Sequence, residues 1–154
     1  MPLMGFEYME SSVRPHALAT LHTQVPPAAV ELGMKYLSGQ IRGGAARCVA
    51  MLRMLQVVVR EYTTPPRKTL SRDLTLKMNH IVQFLIDCRP MSVSMGNAIR
   101  AIKLHIAATA AHVPPLSESE VKAMLIEDIE GFIQEKIVFA DRVRRPPRRP
   151  ALLG

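Results

Sequence analysis

The sequence predicts an all-α protein, an antiparallel bundle of about five helices. Apolar residues recur every three or four positions over long stretches, and proline or glycine pairs separate those stretches. No stretch of useful length alternates as a β-strand does. The 154 residues suit one domain, and 48% of them are apolar, which excludes wholesale disorder. Because no apolar run approaches the ~18 residues of a membrane span, we expect a soluble protein.

The first helix is predicted to begin at Pro27, because proline fits the first helical turn, where its missing N–H costs nothing. It ends at Ser38-Gly39, where the period breaks. Residues 1–26 show no sustained period and match neither a signal peptide nor a transit peptide, so we interpret them as a disordered leader. The apolar positions of this helix are Val30, Met34 and Leu37.

The second helix has the clearest pattern, and its apolar stripe is broad enough for a globular core. Gly43 and Gly44 disfavour helix, and we expect the backbone to approach a neighbour closely there. The helix ends at Thr63-Thr64-Pro65-Pro66, because proline blocks its continuation. Seven residues step by three or four and share one face: Ile41, Ala45, Cys48, Leu52, Leu55, Val59 and Tyr62.

Two further helices follow. The third is predicted to run from near Ser71 to Arg89-Pro90, and the fourth from Ser92 or Ser94 to the region before Pro114-Pro115. Their stripes consist of Leu74, Met78, Ile81, Leu85 and Cys88, and of Met95, Ile99, Ile102 and Ile106.

The fifth helix opens with Ser117 and Glu120, which match the capping box in which side chains and end amides satisfy one another. The bundle is predicted to span residues 27–143. Residues 144–154 are rich in Arg and Pro, and we interpret them as a disordered basic tail. The stripe of this helix is Val121, Leu125, Ile129, Phe132, Lys136 and Ala140.

The net charge of +7 is unevenly distributed. Residues 35–103 contain twelve bases and three acids, a balance of +9, whereas residues 118–141 contain seven acids and two bases, a balance of −5. Residues 142–149 add five Arg. A positive field attracts negatively charged partners and is weakened by salt, so an acidic or phosphorylated protein and RNA both need consideration.

No motif indicates catalysis: the chain has no Gly-rich phosphate loop, no nucleophile elbow and no metalloprotease His pair. No histidine lies four positions from another His or a Cys, so we expect no metal and no cofactor. Cys48 and Cys88 are interpreted as buried apolar side chains in a protein of a reducing compartment, the cytosol. The acids Glu127, Asp128 and Glu130 are interpreted as a solvated helix face.

Five blocks of residues occur in the order seen in one known family: Ala46 to Leu52, Glu61 to Pro66, Leu70 to Leu74, Cys88 to Ile99, and Gln134 to Val138. They resemble the helical domain of the delta subunits of eukaryotic translation initiation factor 2B. The resemblance covers about residues 28–143, and the Tyr-Thr-Thr-Pro-Pro and Cys-Arg-Pro blocks are specific to delta.

The resemblance implies a regulatory subunit without catalytic chemistry of its own. In this family the alpha, beta and delta subunits form the core of the exchange factor that recharges initiation factor 2 with GTP, and the epsilon subunit catalyses the exchange. Helical domains of this kind sense the alpha subunit of initiation factor 2, including its phosphorylated form. The implied partners are therefore that alpha subunit and the alpha, beta, gamma and epsilon subunits of factor 2B. The family's carboxy-terminal Rossmann-like domain is not recognisable, so the chain resembles a fragment.

Two patches match places where the delta helical domain meets that ligand. The first is Arg72 with Asp73 at the start of the third helix, where Arg is unfavourable for the helix dipole and therefore suits an outside contact. The second is Glu135 with Phe139, which lie four positions apart on one helix face. For this second pair, a solvated Glu and a core Phe are the alternative. The family usually has Leu in place of Phe139 and an amide in place of Ala45.

Other functions are also considered. A basic helical RNA- or ribosome-associated protein would use the Arg/Pro tail, but single-strand binding needs aromatic side chains among the cations, and no aromatic here lies in a cluster of bases. We therefore do not expect direct nucleic-acid binding. A truncated copy that does not assemble is the other alternative. A sugar-phosphate isomerase is weakest, because relatives with that activity place their chemistry in the domain missing here.

Overall fold

The structure is a computed structural model that describes residues 25–144, and the predicted leader and tail fall almost entirely outside this range. Within it the backbone forms helices and connecting loops without a β-strand, which confirms the all-α prediction. Val25 is buried in the core, so the packed chain begins two residues before the predicted boundary. The helices are α1 (Pro27–Ser38), α2 (Gly44–Glu61), α3 (Leu70–Cys88), α4 (Val93–Ala110) and α5 (Glu118–Arg144).

The first two helices are bounded by special backbone conformations. Pro27 occupies the first turn of α1, and Gly39 ends that helix in the left-handed region with φ 74°. Gly43, with φ 85°, delays the start of α2 to Gly44, so Ile41 precedes the helix on which it was predicted to lie. The expected close approach is confirmed at Gly44, where an added Cβ would lie 3.3 Å from the Ser92 Cβ.

Hydroxyl caps begin the last two helices. The Ser92 hydroxyl accepts a hydrogen bond from the Met95 amide at 3.3 Å, which selects Ser92 over Ser94 as the cap of α4. The predicted capping box is confirmed: the Glu120 amide donates to the Ser117 hydroxyl at 3.2 Å, and the Ser117 amide donates to the Glu120 carboxylate at 3.3 Å.

Helices α1–α4 form a four-helix bundle, and α5 packs against one side of it. α2 contacts α1, α4 and α5, whereas α3 contacts α1 and α4, so α2 and α3 occupy diagonal corners. α5 lies along α2 and α4, with its most extensive contact on α2. None of these five helices is long and apolar enough to cross a membrane.

The core follows the predicted stripes on α3 and α4 and, with exceptions, on α2 and α5. The predicted stripe of α1 is wrong: its buried residues are Ala29, Leu32, Gly33 and Tyr36, whereas Val30, Met34 and Leu37 are only partly buried, because the helix turns the neighbouring face toward α3. Met51, Leu52 and Leu55 of α2 are fully buried, and Cys48 and Cys88 are buried as expected. Ala45 is exposed because it lies in the first turn of α2, next to a loop. Met124 is 39% exposed, because α5 is covered by the bundle on one side only.

Gly33 provides a test of packing between α1 and α3. A Cβ at this position would lie 2.5 Å from Phe84 Cε1 and 2.9 Å from Cys88 Sγ, and both of these side chains are buried. We expect Gly33→Ala to lower the free energy of unfolding by roughly 1–3 kcal/mol, the usual cost of overpacking. Urea unfolding followed by circular dichroism measures the change.

Gly131→Ala is the matched control, because an added Cβ on this exposed turn of α5 meets nothing within 4 Å. It should stabilise by about 0.5–1 kcal/mol through helix propensity. Equal effects of the two substitutions would contradict the packing of α1 on α3.

Candidate functional site

Arg72 lies on the surface in the first turn of α3. It is exposed and borders the groove between α3 and α4. No hydrogen bond or ion pair occupies its guanidinium within the described part of the chain. The position is unfavourable for the helix dipole, so the group is positioned for a contact outside the helix.

Asp73 has an internal role instead. Its carboxylate accepts a 2.7 Å hydrogen bond from the Tyr62 hydroxyl and lies 3.7 Å from Lys68 Nζ, and its side chain is 17% exposed. These contacts link the end of α2 to the start of α3. Burial, followed by the hydrogen bond to Asp73, raises the pKa of the Tyr62 phenol. The two residues of the predicted patch thus face different surroundings, and a partner would meet Arg72 far more readily than Asp73.

Glu135 and Phe139 share an exposed face of α5, as their spacing predicts. Phe139 is 66% exposed, which excludes a core Phe at this position. Ile137 and Val138 are also more than two-fifths exposed, but consecutive residues point to different sides of a helix, so the apolar surface on the Glu135 face is that of Phe139, called here the α5 patch. Exposed aromatic surface beside a carboxylate is typical of a protein-binding site.

The two candidate surfaces lie near opposite ends of the molecule. Ser71, next to Arg72, lines a cleft together with Glu118, the first residue of α5. Glu135 lies seventeen residues further along that helix, which at 1.5 Å per residue is about 25 Å. A partner would have to extend over most of the bundle, or two partners would be needed, to use both surfaces.

The loop between α2 and α3 is fastened to the start of α5. The Glu118 carboxylate accepts hydrogen bonds from the Thr64 hydroxyl and, at 2.6 Å, from the Thr64 amide. These two bonds hold the pKa of the Glu118 carboxyl below its ordinary value. Lys122 Nζ donates to the Tyr62 carbonyl at 2.6 Å and fixes the same loop from the next turn of α5.

The acids of α5 were predicted to form a solvated face, and two of the three do not. Asp128 lies 2.7 Å from His105 Nδ1 on α4. Glu130 accepts from Arg53 at 2.8 Å and from Gln56 at 3.2 Å, both on α2. Hydrogen bonds from Gln134 and then Gln56, together with the Arg53 charge, lower the pKa of Glu130. α5 lies between α2 and α4, so neighbouring residues face different helices: Asp128 and Glu130 keep part of their surface in solvent while they contact α4 and α2, and Glu127 faces solvent alone.

Cysteine and metal chemistry have no evident place in the described residues. Burial raises the pKa of the Cys48 thiol and raises that of Cys88 to about 11, so both thiols stay protonated at neutral pH. Among residues 25–144 there is no group of three or more His, Cys, Asp or Glu side chains arranged to hold a metal ion.

Comparison with known proteins identifies the family. Residues 40–144 match the sequence profile of the Initiation factor 2 subunit family, which is more than half of the chain. The chain belongs to this family. Within it, the chain is similar to translation initiation factor eIF2B subunit delta of Schizosaccharomyces pombe, 38% identical over 119 residues, and to that of Dictyostelium discoideum, 36% identical over 117 residues.

These matches cover 77% and 76% of the chain but only 25% and 18% of the two relatives, so this initiation factor 2 family member spans a quarter or less of their length. The crystal structure of eIF2B delta from Chaetomium thermophilum superposes with a TM-score of 0.69 at 31% identity, over 76% of this chain and 42% of that one. A chain of the tetrameric eIF2B-beta2-delta2 complex from the same organism gives 0.67 at 31% identity, over 75% and 36%.

The contacts of Glu118 and Glu130 in this family member predict a pH dependence. Because each folded-state pKa lies below the ordinary value of 4.5, each group stabilises the fold above that pH, and the stabilisation is lost as the pH falls through the folded-state value. Urea unfolding midpoints should therefore drop between pH 5.5 and 3, and Glu118→Gln with Glu130→Gln should flatten this drop.

Glu127→Gln is the control, since this exposed acid lies on the same helix and makes no hydrogen bond in the described structure. It should leave the drop in unfolding midpoint between pH 5.5 and 3 as large as in the unmodified chain. A double variant whose slope equals that of this control would show that the contacts at Thr64, Gln56 and Arg53 do not stabilise the fold.

Proposed function

We propose that the chain is the helical regulatory portion of a delta-type subunit of the factor that exchanges guanine nucleotide on initiation factor 2. In this role its surface senses the alpha subunit of initiation factor 2, including the phosphorylated form, and so regulates translation initiation. The observation that carries the proposal is the exposure of Phe139 beside Glu135, since aromatic side chains are enriched where proteins bind one another.

The electrostatics of the described residues support a protein partner. Glu135 supplies an acidic contact next to the α5 patch, and Arg72 supplies an unpaired cation at the other end of the bundle. An apolar centre with charged groups at its rim is the usual anatomy of a protein interface. A phosphorylated partner would bind more tightly if its phosphate met Arg72, because guanidinium groups bind phosphate through charge-assisted hydrogen bonds.

The proposed role is non-catalytic and depends on assembly. Nucleotide exchange belongs to another subunit, epsilon, and this chain would act with the alpha, beta, gamma and epsilon subunits of factor 2B in the cytosol. The similarity to a chain of the tetrameric eIF2B-beta2-delta2 complex supports such assembly.

Substitution of the exposed contacts tests the proposal. Arg72→Ala, Glu135→Ala and Phe139→Ala should each weaken binding of the purified alpha subunit of initiation factor 2, with the largest loss, about fivefold or more, at Phe139, because aromatic anchors dominate interface energies. Biolayer interferometry with the full 154-residue chain, and with both the phosphorylated and the unphosphorylated alpha subunit, measures the change.

Arg60→Ala, Glu127→Ala and Met124→Ala are matched controls, because each replaces an exposed residue of the same kind on α2 or α5. They should bind as the unmodified chain does. Undiminished binding by the Arg72, Glu135 and Phe139 triple variant would exclude these surfaces, and binding that a single-stranded RNA abolishes would favour the nucleic-acid alternative.

A further inference from the structure

The groove between α3 and α4 has an apolar lining that the proposed function, which uses only Arg72 there, leaves unassigned. It is a shallow depression of about 570 Å³ that is open to solvent along the outer side of the bundle, away from α5. Its residues are Ser71, Arg72, Thr75, Leu76 and Asn79 from α3 and Ile106, Ala107 and Ala110 from α4. We propose that this groove, called here the α3–α4 groove, binds an acidic amphipathic helix of a partner protein.

The floor and one wall of the groove are apolar and uncovered. Leu76 is 54% exposed, and Leu104, on the adjoining edge of α4, is 65% exposed. Ala107 and Ala110 are small, so a partner backbone can approach α4 closely. Exposed leucines thus lie on either side of an alanine-lined groove. An apolar side chain that fills the groove would bury this surface and so contribute favourably to the free energy of binding.

The two ends of the groove are cationic. Arg72 lines one end, opposite Ala110. Lys103 lies one helical turn before Ala107 and therefore on the same face of α4, and the antiparallel arrangement places it level with Asn79 at the other end. Arg100 is exposed one turn before Leu104.

No carboxylate lines the groove. The two acids of α3 lie elsewhere: Asp73 is held by Tyr62 and Lys68, and Asp87 is 7% exposed. α4 contains no acid. The groove is therefore positive at both ends, which favours an acidic occupant. The carboxylates of the neighbouring clefts, Asp73 and Glu118, are hydrogen-bonded to Tyr62 and Thr64.

The dimensions specify the occupant further. Arg72 and Asn79 are seven residues apart on α3, a rise of about 10 Å. A helix lying along the groove would match the two cations with carboxylates at positions i and i+7, and would direct apolar side chains at i+3 and i+4 onto the floor.

A nucleic acid fits the groove less well. Sequence-tolerant binding of single strands uses aromatic side chains on which bases stack, and no aromatic side chain lines the groove. An apolar floor between two cations gives phosphates no partner at its centre. The inference goes beyond the proposed function, because it assigns the groove and Lys103 to the binding of an acidic helix, whichever protein supplies that helix.

A designed peptide tests the proposal directly. The probe is a fluorescein-labelled, end-capped helical peptide of fifteen residues with two Glu seven positions apart, Leu at the third and fourth positions between them, and Ala and Gln elsewhere. Fluorescence anisotropy with the full 154-residue chain should show saturable binding that weakens with salt. Lys103→Glu and Leu76→Gln should each weaken it about fivefold or more.

Controls separate the groove from general charge. Arg60→Glu and Met124→Gln alter an exposed cation and an exposed apolar residue elsewhere and should leave peptide binding unchanged. Two further peptides each carry Lys in place of one of the two Glu. The peptide whose Lys faces position 103 should bind the Lys103→Glu variant more tightly than the original peptide does. All four protein substitutions are at exposed or half-exposed positions, and circular dichroism should show the helical content of the unmodified chain.

Three results would overturn the proposal. The first is equal binding of a peptide whose two Leu are replaced by Ala, since charge alone would then explain the affinity. The second is a Lys103→Glu variant that binds as the unmodified chain does. The third is a single-stranded RNA that displaces the peptide and loses affinity with Lys103→Glu. Glu135→Ala and Phe139→Ala should leave peptide binding intact, so loss of alpha-subunit binding with retained peptide binding would count against the proposed function only.

Discussion

The antiparallel seam between α2 and α5 determines where every other surface of the molecule lies. α2 carries a stripe too broad for one neighbour and buries it against α1, α4 and α5. The seam has a constant register, since successive contacts join later residues of α2 and its following loop to earlier residues of α5. These contacts join Arg53 to Glu130, Gln56 to Ile126, Tyr62 to Lys122, and Thr64 to Glu118. Continued at the same step, the register places Phe139 level with the start of α2.

Polar contacts give this seam its register. Apolar stripes that step by three and four residues can slide by a turn or two at small cost, because one aliphatic side chain replaces another. Gln56 cannot slide in this way, since it is 6% exposed and its amide donates both to the Ile126 carbonyl and to Glu130 at 3.2 Å. A shifted register would leave that buried amide without an acceptor, which costs about 1–3 kcal/mol.

The five helices and most of their ends could be predicted from the sequence, because proline, glycine and the capping box act locally. The exposure of Phe139 could not, since a periodic pattern shows which residues share a face but not how far the neighbouring helix extends. Phe139 lies near the carboxyl end of α5, where 66% of its surface remains exposed. The contacts of Asp73 with Tyr62 and of Glu130 with Arg53 were also beyond prediction, because these partners are eleven and seventy-seven residues away in sequence and only packing brings them together.

Packing also changes what the positive charge of the middle segment means. The balance of +9 over residues 35–103 treats every cation as equal, but several are engaged within the bundle. Arg53 is paired with Glu130, Lys68 lies near Asp73, Arg47 donates to the Pro90 carbonyl at 2.7 Å, and Lys77 lies 5.9 Å from the Tyr62 ring centroid. The outer face of α3 and α4 keeps Arg72, Arg100 and Lys103 without a nearby carboxylate. A charge spread along the sequence thus becomes a positive field on one side of the bundle, while the acidic and apolar surface at Glu135 and Phe139 lies on α5.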